Sequence, residues 1–447
     1  MNRMHVAIAV VLFTILAIYF VVNAPLIGLH KFILSIIILL ISGKLLSKAL
    51  KLQTEYGIIL LKTKKGIGFI RKIARVKELW NFIADTGLII AYGLSSVVVM
   101  RNHIDLKKLI VGMILLIIVS LFVGGLAAPF LIANLKGQVL SEAAEKYSGD
   151  QNTLIISTVI LVVFGWFGTI VYGLVSYSLV IIGKLIALIL GTGTLTAASA
   201  GATLIIPGIT LPFFEGIIAL IVILVVHEGA HAVLSVIGGV PLKSSGLALF
   251  GIIPIGAFVE PDEEILRKKE IKKQTRVLIA GPAANLITAI IFFALFIGFT
   301  SIASDYREYG ISVTNGLNQS GVIIYTLNGI NATSNITLEA NSTVLLSTNK
   351  GEIQLETNED GKVPIRGFYT NTVFTAKFKD WWMNSIYLIL GFTFALNFVL
   401  GVVNLLPIPM FDGYRIIELN VKNKLIVKGL MYLATIGLLL NFLPLLF

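Results

Sequence analysis

In the apolar run 215–240, the order His227-Glu228-Gly229-Ala230-His231 sets two imidazoles four residues apart with a carboxylate beside the first. On a helix, positions i and i+4 share one face a turn apart. Both rings can therefore reach a single zinc ion, and Glu228 can act on a water held there. The chemistry this allows is metal-assisted hydrolysis. The chain has five histidines, and two of them stand in this motif. Ionisable side chains in the middle of an apolar span are costly and mark function by default. The bland alternative is a pair of buried histidines bonded to backbone or water, with Glu228 paired to a neighbour.

A catalytic zinc takes three protein ligands and keeps one position open. Cysteine is absent, so thiolate sites and disulfides are excluded and any metal is held by His and carboxylates. Few carboxylates lie in apolar context: Glu215 at a helix start, Asp85 ahead of a weak apolar window, and Asp412 in NLLPIPMFDGYRI. Asp412 has the best surroundings. Pro407 and Pro409 remove backbone donors and break the helix, and Gly413 permits close approach; such irregular backbone persists at membrane depth where it is buried in protein or lines a cavity. The competing reading is a Pro-rich turn at the membrane surface with Asp412 solvated, and spacing does not decide between them.

The elements that position these groups are membrane helices. Of 447 residues, 56% are hydrophobic and 13% charged, against a charged share of roughly 25% in soluble globular chains. This composition describes a polytopic α-helical membrane protein. The net charge of +11, from 35 Lys and Arg against 24 Asp and Glu, reads as topology rather than nucleic-acid binding. Apolar windows near the span length of ~20 residues fall at 5–22, 109–133, 215–240, 277–299, 383–403 and 425–446. A weaker one lies at 87–100, and another at 32–46 is interrupted by Gly43 and Lys44. The run Leu154 to Leu190 is too long for one span and contains Lys184, so it reads as a tilted helix plus a partial one or as a tight hairpin. No small-residue cleavage site follows the first window, which favours a retained span over a signal peptide.

The stretch 300–382 alternates short β-branched runs with Asn-Gly, Asn-Lys-Gly and Asp-Gly breaks, the pattern of a small β-rich domain. It carries four Asn-x-Ser/Thr sequons, at Asn318, Asn331, Asn335 and Asn341, which points to an extracytoplasmic face. Arg267, Lys268, Lys269, Lys272, Lys273 and Arg276 crowd 261–276, so that loop is expected on the cytoplasmic side. The span 277–299 then runs outward, 383–403 returns, and 215–240 descends from outside to inside.

Three ordered motifs, HEGAH at 227–231, GPAAN at 281–285 and NLLPIPMFDG at 404–413, resemble the site-2 protease family of intramembrane zinc metalloproteases. The resemblance covers roughly 205–420, and PGITLP at 207–212 is similar to a segment of the branch that includes the eukaryotic members. It implies that His227, His231 and Asp412 bind Zn2+, that Glu228 is the general base, and that Asn404 positions substrate or stabilises the oxyanion. It implies further that GPAAN packs helices with Asn285 close to the site, that 241–261 forms a membrane-re-entrant β-loop, and that 300–382 is a PDZ-like module. Phe411 stands where the family usually has Leu, and Ala232 where Gly is frequent; both leave the chemistry intact.

The expected division is an accessory transmembrane region at 1–204, the first part of a catalytic core at 205–299, the extracytoplasmic PDZ-like domain at 300–382, and the second part of the core at 383–447. The expected activity is hydrolysis of peptide bonds within or near transmembrane segments, in regulated intramembrane proteolysis. Its partners are single-span membrane proteins and the lipid bilayer of the cell membrane, with no nucleic acid. A helix shields its own carbonyls, so a substrate must unwind, and a strand edge of the re-entrant loop would hold it by β-augmentation. The alternative is a transporter or ion pathway, which also uses buried His, Glu and Asp with broken helices; internal repeats would favour it, and none is visible. Finally, KTKKGIGFIRKIARVK at 62–77 reads as an amphipathic segment on anionic lipid, and GTGTLTAASAGA at 191–202 as a flexible linker or a close helix contact, the linker being favoured.

Overall fold

The computed structural model describes residues 3–446 apart from 25–27, 56–57, 65, 100–104, 136–150, 197–198, 309, 316–321, 333–337, 349–350, 370–375 and 379. Among the described residues, seven helical stretches are long and apolar enough to cross a bilayer: Arg3–Val21, Leu106–Leu131, Ile155–Ile189, Phe213–Ile237, Ile271–Ile302, Trp381–Val403 and Lys424–Leu446. A helix satisfies its backbone donors internally, where lipid offers no partner.

The N-terminal part begins with α1 (Arg3–Asn23) and α2 (Gly28–Leu50), packed against each other. Gly43 and Lys44 lie inside α2 and do not interrupt it; one glycine costs about 1 kcal/mol in a helix, too little to break one with an apolar stripe to bury. Next come β1 (Gln53–Glu55), β2 (Ile58–Thr63), α3 (Ile67–Ile73), α4 (Lys77–Tyr92) and α5 (Ser95–Val99). The stretch 62–77 ends a strand, turns at Gly66 and forms the short α3. The weak window at 87–100 also resolves differently. Residues 84–92 of α4 are buried in protein, and the helix stops at Gly93.

α6 (Leu106–Ile118) passes through a π-helical stretch, Val119–Gly124, into α7 (Gly125–Asn134). The long run becomes α8 (Gln151–Ile189), broken at Gly165, whose φ of 62° and ψ of −157° are non-helical. It is therefore a bent helix rather than a hairpin. Gly165 meets the end of α4, where a Cβ would come within 2.5 Å of Ala91 O, and only glycine adopts this backbone without strain. The expected linker at 191–202 is instead a packing segment at its end. Tyr177 Oη donates to Ser199 O at 3.2 Å, Lys184 Nζ donates to Ser199 Oγ at 3.0 Å, and Gly201 N donates to Asn441 O at 3.1 Å.

The core follows: α9 (Phe213–Ile237), β3 (Leu242–Phe250), β4 (Ile253–Pro261), α10 (Glu263–Arg267), α11 (Ile271–Ile302), then α12 (Trp381–Val403), α13 (Asp412–Asn420) and α14 (Lys424–Phe442). β3 and β4 form a hairpin in the expected β-loop, and the N-terminal β1 and β2 extend it into one antiparallel sheet ordered β1-β2-β3-β4. β2 pairs from Ile58↔Phe250 to Thr63↔Ser245. Glu260 Oε2 accepts from Ser244 Oγ at 2.5 Å and from Lys62 Nζ at 3.0 Å, tying the three strands together. One edge of the hairpin is therefore covered, and among the described residues β4 is the outer strand of the sheet.

Helices in lipid gain little from the hydrophobic effect and associate through close packing and buried polar contacts. Ala84 and Ala91 of α4 pack in one buried cluster with Ala280 and Ala283 of α11. Farther along, Phe130 of α7 stacks edge-on with Phe296 of α11 and with Tyr387 and Phe392 of α12. A buried ion cluster adds to this: Arg276 of α11 donates through Nε and Nη2 to both oxygens of Asp85, each at 2.7 Å, and Lys108 Nζ lies 3.0 Å from the same carboxylate.

Between α11 and α12 lies a six-stranded unit. Its strands are β6 (Ile311–Asn315), β7 (Ile323–Leu327), β8 (Ile330–Asn331), β9 (Thr343–Thr348), β10 (Gly351–Glu356) and β11 (Arg366–Tyr369), ordered β10-β9-β7-β6-β11 with β8 on β7. A flanking two-stranded pair joins β5 (Arg307–Glu308) to β12 (Lys377–Phe378). The Asn328-Gly329 break is a two-residue hairpin turn with positive φ at both positions, as a type I′ turn requires. Among the described residues the unit contains strands and no α-helix. Of the sequons, Asn331 sits in β8 and Asn341 in an exposed turn; Asn318 and Asn335 lie outside the described residues.

Candidate metal centre

α9 presents His227 and His231 toward α11 and the start of α13. His227 Nε2 and His231 Nε2 each lie 3.3 Å from Asp412 Oδ2, and 3.2 Å from one another. Three lone-pair-bearing atoms at mutual distances of this size need a cation or protons among them. Ligands arranged tetrahedrally about zinc at about 2.0–2.1 Å are about 3.3 Å apart, so this triangle has the right dimensions to hold a metal. Of the carboxylates that the sequence left open, Asp412 is the one brought here. Asp85 is taken up by Arg276 and Lys108. Glu215 accepts from Ser385 Oγ at 2.7 Å, about 18 Å up the helix from His227 at 1.5 Å per residue.

Asp412 is delivered by a turn that closes on itself. α12 ends at Val403, Gly413 N donates to Asn404 O at 2.8 Å, and Phe411 N donates to Ile408 O at 2.8 Å. Leu405 and Leu406 are buried and anchor the turn. Part of the irregular backbone is thus paired and packed, while Pro409 and Met410 at its tip are exposed, and α13 starts at Asp412 against the imidazoles.

The outer contacts set the tautomers. Val277 O lies 2.6 Å from His231 Nδ1, and a carbonyl can only accept, so Nδ1 carries the proton and Nε2 keeps its lone pair for a metal. Pro282 has no N–H to give the carbonyl of Leu278, next to the one that His231 uses. Asn285 Nδ2 lies 3.2 Å from His227 Nδ1, while Asn285 Oδ1 is buried without a partner. Turning the amide by half a rotation sets the oxygen against Nδ1–H of His227 and frees His227 Nε2 for a metal. Gly281 makes room for the pair: a Cβ there would sit 2.4 Å from His231 Nε2 and 2.5 Å from His227 Cε1.

Glu228 stands off the ligand face, and its Oε2 accepts from Val259 N of β4 at 3.3 Å. A cavity of about 430 Å³ opens over the triangle, with Glu228, Asn404 and Arg415 also in its walls. The sequence reading missed Arg415, whose guanidinium donates to both oxygens of Glu263 at 3.0 and 3.3 Å. It joins α13 to α10 across the cavity rim. Its position, one helical turn past Asp412, was the available signal.

A family model, Peptidase family M50, matches residues 215–443. An uncharacterized protein of Methanocaldococcus jannaschii is 31% identical over 287 residues, which span 62% of this chain and 73% of that protein. Since the match runs from the helix bearing the histidine pair through the turn that delivers Asp412, the chain belongs to peptidase family M50, the site-2 protease family of metallopeptidases.

Proposed function

We propose that this protein hydrolyses peptide bonds within or beside the transmembrane segments of single-span membrane proteins, with zinc held by His227, His231 and Asp412. The observation that carries this reading is the ligand triangle with the Glu228 carboxylate beside it on an apolar helix. Bound there, zinc would polarise the scissile carbonyl and lower the pKa of a water. Glu228 takes a proton from the attacking water as its oxygen bonds to the carbonyl carbon, and gives that proton to the nitrogen as the C–N bond breaks. Asn404, in the same cavity wall, has an amide N–H to donate to the carbonyl oxygen as negative charge develops on it. The polar side chains in the cavity wall, among them Glu228, Asn404 and Arg415, would hold water where lipid alone would exclude it.

A helical substrate has its carbonyls engaged, and the outer edge of β4, apart from Val259 N that Glu228 holds, offers an unwound segment new backbone partners. In this reading the sheet unit within 300–382 lies outside the cell membrane in the place of a PDZ-like module, and 261–276 faces the cytoplasm. An ion pathway is less well supported, because the charge cluster at Asp85, among the described residues, is closed by ion pairs to Arg276 and Lys108 between helices. The test is zinc content and cleavage of a single-span substrate by purified protein. Asp412→Ala should lose both and Glu215→Ala should keep both; the opposite pattern would assign the third ligand to Glu215.

A further inference from the structure

A second cavity, of about 620 Å³, adjoins the first and shares Glu228 and Val259 with it, whereas His227, His231 and Asp412 line the first. Its walls include Ile73, Trp80 and Ile83 from α3 and α4, Gly229 from α9, Phe258 from β4 and Thr288 from α11. The α3–α4 wall lies outside the family match at 215–443. Phe69, Val225 and Leu247 also line it and are exposed by 68%, 56% and 45%, so its mouth is apolar and open.

We infer that this cavity binds the substrate residue on the amine side of the scissile bond and selects a large apolar side chain there, with α3 and α4 as its outer wall. The inference rests on the hydrolytic reading above. To return its proton, Glu228 must come within about 2.6–3.2 Å of the leaving nitrogen. The residue that owns this nitrogen therefore lies against Glu228, and the space on the side of Glu228 away from the metal ligands is this cavity. Its volume falls within the range of about 300–1,000 Å³ for small-ligand sites, room for a large side chain and part of its neighbours. Both a substrate segment and a lipid acyl chain could enter from the bilayer. An acyl chain would desolvate the Glu228 carboxylate and supply no donor, whereas a peptide brings an N–H to it.

The test uses purified zinc-loaded protein and single-span substrates that differ only in the amine-side residue, Leu, Phe or Ala, with cut sites read by mass spectrometry. A methylene in an apolar pocket is worth about 10–200-fold in kcat/KM, so wild type should prefer Leu and Phe over Ala by at least about tenfold. A Cβ added at Gly229 meets nothing within 4 Å, so Gly229→Leu can extend into the cavity; it and Thr288→Leu should bring the Leu/Ala ratio to about one or below. In a second arm, Glu228→Gln protein is photo-crosslinked to a substrate with a photoreactive Phe analogue at that position, and the adduct should fall on residues 67–83. An unchanged Leu/Ala ratio in both filled variants, with crosslinks elsewhere, overturns the pocket while leaving hydrolysis intact. An unchanged ratio with loss of co-purified phospholipid assigns the cavity to an acyl chain and also overturns it. If wild type cuts nothing, the hydrolytic reading has failed, and the crosslink alone decides whether the pocket binds a transmembrane peptide.

Discussion

Gly281 is the residue on which the proposed metal geometry depends without contributing a ligand. A methyl group there would overlap both imidazoles, so Gly281→Ala should lose bound zinc and cleavage together. Zinc retained at wild-type affinity, measured by competition with a chelating dye, would contradict this. Asn285→Ala removes the partner of His227 Nδ1, and loss of such an outer contact typically lowers metal affinity by about 10–100-fold. The same titration checks it. The ligand pair and Glu228 were legible in the sequence because i, i+4 spacing is a local property of a helix. Asp412 was legible as a candidate through its Pro-rich surroundings and became a choice only through resemblance to a family. The roles of Gly281, Val277 O and Arg415 were not legible, since each depends on which turn of α11 or α13 faces α9.

At the scale of elements, the Asp85, Arg276 and Lys108 cluster clamps α4 and α6 to α11. Asp85 is 2% exposed, and its loss leaves the Arg276 guanidinium without its carboxylate and Lys108 with Asp105 alone, 3.5 Å away. Removing one partner of a buried pair costs about 3–5 kcal/mol, so Asp85→Ala should lower the thermal unfolding temperature of the detergent-solubilised protein; an unchanged temperature would show the clamp to be idle. Hydropathy read the spans well, because a helix that meets lipid must be apolar over its whole length. It misread α4, where apolar residues face other helices and the charged first turn, with Lys77 and Glu78, falls outside the window. It also missed β2, since Ile58 to Thr63 is short and its partner strand at 245–250 is far away in sequence. Such pairing leaves no local periodicity. The glycine-rich run at 191–202 gave the opposite error, as small residues that look like a linker also permit the close contact seen at Ser199 and Gly201.

For the whole molecule, the basic 261–276 loop and the strand unit within 300–382 lie at the two ends of α11, so the proposed topology sets them on opposite sides of the membrane. The chain has no cysteine, so single labels report cleanly. Glu359→Cys should react with an impermeant thiol reagent on intact cells and Lys268→Cys only after permeabilisation; both positions are exposed. The reverse pattern would invert the orientation of α9 and the side from which substrates are cut. The central claim is that the ligand triangle and Glu228 form one hydrolytic site, and comparing Glu228→Gln with His227→Ala in the purified protein tests it most directly. Glu228→Gln should keep about one zinc per chain and lose about 10⁴-fold or more in cleavage of a transmembrane substrate, the upper end for a lost general base, while His227→Ala should lose metal and activity together. Cleavage by Glu228→Gln at the wild-type rate, with contaminating proteases excluded, would contradict the account even with zinc in place.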